Sequence, residues 1–482
     1  MLRLVNRDVA MRIVIISNTV EYLRDVEYIR NYILERVKDV DVHIICGGFR
    51  SRDFIAKPGV HYLYQDFQNF LETHRHTTID NIVSLQRSQA SIIPSSSYKS
   101  DRRYIQGLAR ERDLVLEQIY LVETVKGLFQ DIQPHLLFTT DGASIIKTVP
   151  FHVGQNLGVR CYRMYPEYYL NPYGGVRFWF TPNNYRRLSD DSDDQFGYPA
   201  DITQKHAADF LSSVLGGTYK LDGMARSMGR EKLRFGVNNV MRLGKNALRL
   251  RVSQLRREMR PVIDRILNDR LATAPASLPK PYFLFPLNWP EDAQLVARAP
   301  QYQDALSVTE QIANVLPYGH SLVIKEHPGY PGMLEHYRLR AVLRAHSNIV
   351  YVSGKVRLQQ LLQNASALIT VNSTAAIEAL LHNIPVITLG EAFYRDTGLT
   401  YDVGYLFQLS QVLSTAIAEK RDAKATHDLL HSVICQVLQQ TIPEPGKNVK
   451  IEDRLDILGD GIVRKANKLS YGATRRKYSL RP

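Results

Sequence analysis

The sequence predicts an α/β protein with two doubly wound parallel-sheet domains, and three observations predict it. The chain has 482 residues, well beyond the ~250–300 at which a single hydrophobic core stops growing. Its residues are 44% hydrophobic and 23% charged, which places it among globular chains rather than disordered or membrane-embedded ones. Both halves alternate short β-rich apolar runs with helix-length segments, the pattern of parallel strands joined by crossover helices.

In the amino-terminal half, MRIVIISN reads as the first strand, a helix follows over residues 22–38, and VDVHIICGG is the second strand. Residues 69–105 are polar, contain SIIPSSSYKSD, and read as an exposed loop or partly disordered insert. A helix over 106–131 leads into PHLLFTTDG, and GVRCYRMYPEY is a further strand. Residues 182–215 are rich in turn formers. Residues 219–270 read as helical and basic: Val237, Val240, Met241, Leu248 and Leu255 recur at helical spacing among Arg226, Arg230, Lys232, Arg249 and Arg256. Two readings of that stretch stay open, a linking helix with a solvated basic face and a contact for an anionic membrane surface or acidic glycan.

The second domain begins near Leu278. Its strands are PYFLFPL, HSLVIKE, NIVYVS, SALITV and IPVITLG, separated by helices over 302–316, 332–346, VRLQQLLQNA and STAAIEALLHN. The expected organisation is 1–215 as an amino-terminal domain and 216–277 as a basic helical linker. A second domain at 278–445 and a helix with a basic tail at 446–482 complete it. There is no internal repeat.

Several function classes are set aside. Cys46, Cys161 and Cys435 lack metal-ligand spacing, which argues against a zinc site or a disulfide scaffold and suits a reducing compartment. No run approaches the ~20 apolar residues of a membrane-spanning helix. The first ten residues are polar and the run Ile13–Ile16 is too short for a signal-peptide core, so no targeting segment is expected; Met11, where the first strand begins, is an alternative start. The sequence holds neither a Walker A loop nor a G-x-S-x-G elbow. The net charge of +13 favours anionic partners. The basic segment lacks the interleaved aromatics of a nucleic-acid binder, so no nucleic-acid partner is expected.

Ligands of open parallel sheets bind beyond the carboxyl ends of the strands, so the residues there are the candidates. Lys325-Glu326-His327-Pro328 follows SLVI and puts a cation, a carboxylate and an imidazole at the mouth of the sheet. Pro328 restricts His327 to an extended backbone. Lys325 and His327 suit holding a phosphate or protonating a leaving one. Asn372-Ser373-Thr374 opens the helix after SALITV. Asn372 or Ser373 is the expected N-cap, and helix amides with the Ser373 and Thr374 hydroxyls are the expected anion ligands; an ordinary N-cap is the plainer alternative. Glu378 stands one turn further on, to bond a sugar hydroxyl or merely serve the helix. In the other domain Asp141, in TTDG, is placed to take a proton from an acceptor hydroxyl or to cap a helix starting near Ala143. Asn288, Glu291, Asp292 and Gln294, after PYFLFPL, line an expected nucleotide pocket, and Glu167 is an alternative base. Asp191-Ser192-Asp193 has D-x-D spacing, yet its acidic, turn-rich setting reads as a solvated loop, and no metal site is expected.

Together these motifs resemble a known group. TDG, KEHPG and VNSTAAIEALL resemble the D-G, H-P and S-S/T motifs of bacterial sialyltransferases and, more closely, those of the capsule polysaccharide biosynthesis family, which includes transferases of Kdo (3-deoxy-manno-octulosonic acid). PYFLFPLNWPEDAQL resembles that family's P-L-Q strand with Asn288 in place of the glutamine, and IPVITLGEAFYRDTGLTYDV its segment after the S-T helix. The resemblance is strongest over 281–405 and thin over 1–130. It implies a GT-B fold, with two Rossmann-like domains facing a cleft, and metal-independent transfer from a CMP-activated acidic sugar with no further cofactor. It also implies Asp141 as general base and His327, Ser373 and Thr374 as ligands of the CMP phosphate. The partners it implies are a nucleotide-sugar donor and a glycan or lipid-linked glycan acceptor. The expected location is the cytoplasm, with peripheral contact at the anionic inner face of the plasma membrane. Two alternatives share the motifs: a CDP-glycerol-type glycerophosphotransferase, and a non-catalytic GT-B-like glycan-binding or export scaffold.

Overall fold

The computed structural model describes residues 11–17, 22–47, 56–74, 76–89, 111–140, 144–166, 178–181, 200–216, 260–290, 292, 295, 299–439 and 451–478. They fall into two units. The first includes Met1–Asn184 and Gln439–Pro482, and the second includes Pro199–Leu438.

In the first unit, strands β1 (Met11–Ser17), β2 (Val40–Cys46), β3 (Val60–Tyr62), β4 (Leu136–Thr140), β5 (Arg160–Pro166) and β6 (Phe178–Thr181) form one sheet in the order β3-β2-β1-β4-β5-β6. The pairs from β3 to β5 are parallel, and β6 runs antiparallel to β5. β1 is a near-continuous apolar run because both of its faces are covered. The unit's helices are α1 (Leu23–Arg36), α2 (Phe67–Thr73), α3 (Ile79–Ser88), α4 (Glu111–Ile132) and α5 (Ile145–Asn156). α3 lies inside the stretch expected to be loop. Thr78 caps it by accepting the Asn81 N–H, a local signal that the overall polarity of residues 69–105 obscured.

In the second unit the helices are α6 (Ala200–Leu215), α7 (260–269), α8 (Ala305–Ala313), α9 (His336–Ala345), α10 (Leu358–Leu362), α11 (Ala375–Leu381), α12 (Leu409–Ala418) and α13 (Ala423–Gln439). Strands β7 (Tyr282–Pro286), β8 (Ser321–Lys325), β9 (Ile349–Val352), β10 (Ala365–Thr370), β11 (Val386–Thr388) and β12 (Tyr401–Asp402) pair in the order β12-β11-β10-β7-β8-β9, all parallel. Each sheet thus has the order 3-2-1-4-5-6 of doubly wound dinucleotide-binding folds. The expectation of two parallel-sheet α/β domains holds. The order reverses between β1 and β4 in one sheet and between β7 and β10 in the other.

Three expected boundaries shift. α6, assigned from sequence to the first domain, belongs to the second: Gln359 Nε2 donates to the Val214 carbonyl, and His431 Nε2 bonds the Gln204 carbonyl. Residues 260–277 are not a linker but part of the second unit, where α7 carries Asp264, Asn268 and Asp269 into bonds with the loops after β8 and β9. The basic residues 217–259 lie outside the described residues. The last helix, α14 (Ile451–Tyr478), is not separate but packs on α1 in the first unit. Leu458, Ile462 and Ala466 recur on one face and join Ile29 and Ile33 in the core. Asp456 and Asp460 accept from the Tyr28 and Tyr32 hydroxyls at 2.8 and 2.7 Å. Gly459 lets the helix approach, since a Cβ there would stand 2.4 Å from the Tyr32 ring.

Candidate functional site

The site is built at the reversal point of the second sheet. β7, β8 and β10 end on one edge, with β7 between the other two. Strands lie about 4.8 Å apart, so the ends of β8 and β10 are about 10 Å apart. Asn288, just past β7, donates through Nδ2 to Asn372 Oδ1 at 2.9 Å, just past β10. The buried Asn288 Oδ1 has no partner among the described residues. Asn288 lines a small pocket together with Phe285, Leu287, Tyr302, Met333 and Val371.

The loop after β8 is a tightly determined structure. His327-Pro328-Gly329-Tyr330 forms a turn closed by the Tyr330 N–H on the His327 carbonyl at 3.1 Å, with Pro328 at its second position. Proline has no N–H, so Gly329 supplies the next amide, and it donates to His327 Nδ1 at 3.1 Å. An imidazole whose Nδ1 accepts carries its proton on Nε2. Burial, and then the Lys325 charge, pull the His327 pKa down to about 4. His327 is therefore neutral near pH 7, a fixed Nε2–H donor. The expectation that it protonates a leaving phosphate is corrected on that ground: so acidic an imidazolium is not populated at neutral pH in the free protein. Trp289 lies beside it, ring centres 6.3 Å apart, and stacks on Tyr330 at 5.5 Å.

Lys325 is 4% exposed. Its ammonium donates to the carbonyls of Glu326 at 3.1 Å and Gly354 at 3.4 Å. Burial lowers its pKa to about 8, and the charges of Glu326 and Glu378 oppose that fall. Glu378 is held up by burial and drawn back by Lys325, which places α11 and the end of β8 in one electrostatic field.

Two expected nucleotide contacts are engaged inside the protein instead. Glu326 is 2% exposed, and its carboxylate accepts from the Gly332 N–H at 2.9 Å and the Tyr351 hydroxyl at 3.1 Å. Asn372, also 2% exposed, serves the Asn288 bond. Short polar residues after a strand look alike in sequence whether they face ligand or backbone, and only the partners tell them apart.

The helix start after β10 also differs from expectation. Thr374, rather than Asn372 or Ser373, is the N-cap of α11, and its side chain makes no capping bond. The first amides are already taken: Ala375 N–H by Ser373 Oγ at 3.3 Å, Ala376 N–H by the Ser373 carbonyl and Ile377 N–H by the Thr374 carbonyl. An anion here meets hydroxyls rather than a crown of free amides. Tyr394 fixes the turn by donating to the Ser373 carbonyl at 2.8 Å. Lys325, His327, Pro328, Asn288, Ser373, Thr374 and Glu378 thus gather on one sheet edge. Sequence reasoning missed Trp289, Tyr351 and Gly354; of these only Trp289, an aromatic directly after a strand, left a signal.

Asp141 lies outside the described residues, as do Glu167, Asp191-Ser192-Asp193, Glu291 and Gln294. β4 ends at Thr140, beside the reversal point of the first sheet, and the residue at the N-cap position of α5 is Ser144.

Residues 242–441 match the family model described as capsule polysaccharide biosynthesis protein. Over this segment the chain is similar to that family. The matched segment contains every gathered candidate on β7, β8 and β10 and leaves Asp141 outside it. The capsule polysaccharide export protein KpsS of Escherichia coli is 32% identical over 163 residues, 32% of this chain and 38% of that one. The capsule polysaccharide modification protein LipB of Neisseria meningitidis is 29% identical over 127 residues, 25% of this chain and 30% of that one. The chain covers less than two fifths of the length of either relative. Among solved structures, the KpsC beta Kdo 2,7 transferase of Thermosulfurimonas dismutans is similar at 14% identity and a TM-score of 0.29, over 64% of this chain and 89% of that one. At that TM-score the fold rests on the strand order described above.

Proposed function

We propose that the protein is a glycosyltransferase of surface polysaccharide synthesis that transfers an acidic sugar such as Kdo from a CMP-activated donor to a glycan or lipid-linked glycan. One observation carries the reading: a neutral Nε2–H donor on His327 and a buried ammonium on Lys325 stand two strands from the Ser373 and Thr374 hydroxyls, on the ligand-binding edge of a doubly wound sheet. Leaving CMP develops charge on its phosphate. A preorganised donor and cation in a partly dehydrated site stabilise that charge without a metal ion. Asp141 is the proposed base for the acceptor hydroxyl. The capsule-synthesis family of residues 242–441 supports the substrate class. The +13 charge supports an acidic acceptor at the cytoplasmic face of a membrane.

The test is a thermal-shift panel of CMP, CDP, UDP and GDP at millimolar concentration, followed by turnover of a CMP-sugar against CDP-glycerol. Bound ligand stabilises by RT ln(1 + [L]/Kd), so CMP is expected to raise Tm most. A response confined to UDP or GDP sinks the cytidine assignment. Turnover of CDP-glycerol alone moves the protein to glycerophosphotransfer.

A further inference from the structure

The carboxylate of Glu326 is buried at the start of the loop. It is 2% exposed and faces its own backbone. It takes the Gly332 amide on Oε1 at 2.9 Å and the Tyr351 hydroxyl on Oε2 at 3.1 Å, and the Met333 amide also bonds it. Tyr351 is on β9, so the carboxylate ties the far end of the β8 loop to the neighbouring strand.

Both flanks of the loop are closed. Gly332 has φ of +80°, and a Cβ there would stand 1.9 Å from the Pro261 carbonyl oxygen of α7. Arg260 of the same helix pairs with Glu335 at 2.7 Å, and Asn268 Nδ2 donates to the Leu334 carbonyl at 2.8 Å. On the other side a Cβ at Gly354 would lie 3.1 Å from the His327 carbonyl oxygen. Residues 327–333 are clamped at their end by Glu326 and pressed between two backbones. The Gly329 amide that decides the state of His327 lies within that clamped stretch.

We propose that Glu326 is a positioning residue: by holding the Gly332 amide and the Tyr351 hydroxyl, it keeps the loop in the one form in which Gly329 N–H occupies His327 Nδ1, so that His327 presents Nε2–H to the ligand. That the ligand is the donor phosphate rests on the function proposed above; the selection of the tautomer does not. Without the carboxylate, the Gly332 amide and the Tyr351 hydroxyl lose a buried acceptor, and such groups seek partners elsewhere at the cost of loop geometry. The Gly329 contact then loosens, and the imidazole proton divides between its two nitrogens.

The experiment is imidazole nitrogen NMR of the unliganded full-length chain at pH 7, with His327 assigned by its loss in His327→Gln. Wild type is expected to show the Nε2–H form alone. Glu326→Gln keeps an oxygen acceptor for Gly332 and is expected to keep that form. Glu326→Ala is expected to show both tautomers, with a drop of about 100-fold in kcat, the scale of a one-ångström misplacement. Tyr351→Phe removes one bond without opening a cavity and is expected to show a minor Nδ1–H population, which preserves the test if Glu326→Ala does not fold. A pure Nε2–H signature in Glu326→Ala, or in Tyr351→Phe should Glu326→Ala not fold, overturns the proposal. So does a Glu326→Gln protein as mixed as Glu326→Ala. Added CMP separates the two claims. If it leaves the wild-type His327 signal unmoved, the donor assignment fails, while the tautomer comparison still decides the role of Glu326.

Discussion

Asn288 and Asn372 join the ends of β7 and β10 through a 2.9 Å side-chain bond at the point where the strand order of the second sheet reverses. The bond engages the Asn288 side-chain nitrogen, while its side-chain oxygen is buried with no partner among the described residues. Asn372→Ala strips a buried donor of its acceptor, which costs about 1–3 kcal/mol. Urea denaturation of Asn288→Ala, Asn372→Ala and the double variant checks this. Coupling of at least about 0.5 kcal/mol is expected for residues in contact, and strictly additive losses contradict the bond.

His327 makes the protein more sensitive to acid. Its folded pKa of about 4 lies below the ~6.5 of an unfolded histidine. Between those values the unfolded state binds the extra proton, so stability falls as pH drops through that window and is unaffected above it. Denaturation midpoints from pH 7 to 4 are expected to fall less steeply in His327→Gln than in wild type. Parallel curves would show that the imidazole is not held neutral.

Lys325 is expected to set an alkaline limit to the proposed anion binding. Its pKa of about 8 means that the free site loses its cation as pH rises past that value. CMP affinity measured by calorimetry is expected to decline above pH 8 in wild type. In Lys325→Met it is expected to be about tenfold weaker or worse at pH 7, since hydrogen bonds to charged groups contribute about 1.5–3 kcal/mol, and to lack that alkaline limb. A limb of unchanged steepness in the variant assigns it to another group.

Gly332→Ala tests the pressure on the loop. The φ of +80° and the 1.9 Å approach to the Pro261 oxygen leave no room for a methyl group. Destabilisation of about 2 kcal/mol or more is expected from overpacking and strain together. Thermal denaturation alongside Gly319→Ala provides the comparison. Gly319 has a similar positive φ but open space around it, so its loss should be the smaller.

The fold was legible because the central strands of both sheets are parallel and buried, so they appear as unbroken apolar runs such as IVII and FLFP at regular intervals. β12, two residues long, and β3, three, carry too little pattern to be read, and α6 was hidden in a turn-rich stretch. The site was legible as a set of positions. Strand ends are fixed by periodicity, and polar residues there stand out. What each does was not, because that depends on partners distant in sequence. Glu326 turns inward because Gly332 and Tyr351 offer it bonds, and His327 is a donor because Gly329 fills its other nitrogen. No spacing rule encodes either.

The return of α14 to the first unit makes the second unit an insertion within the first, which sets an order on synthesis. The ribosome releases Leu458, Ile462 and Ala466 only after the whole of Pro199–Leu438 has emerged. Until then Ile29 and Ile33 on α1 lack their cover, while the second unit already has all its strands and can close its core. The unit that holds β1 is completed only once α14 has been made, and until then an apolar face of α1 stands open to water.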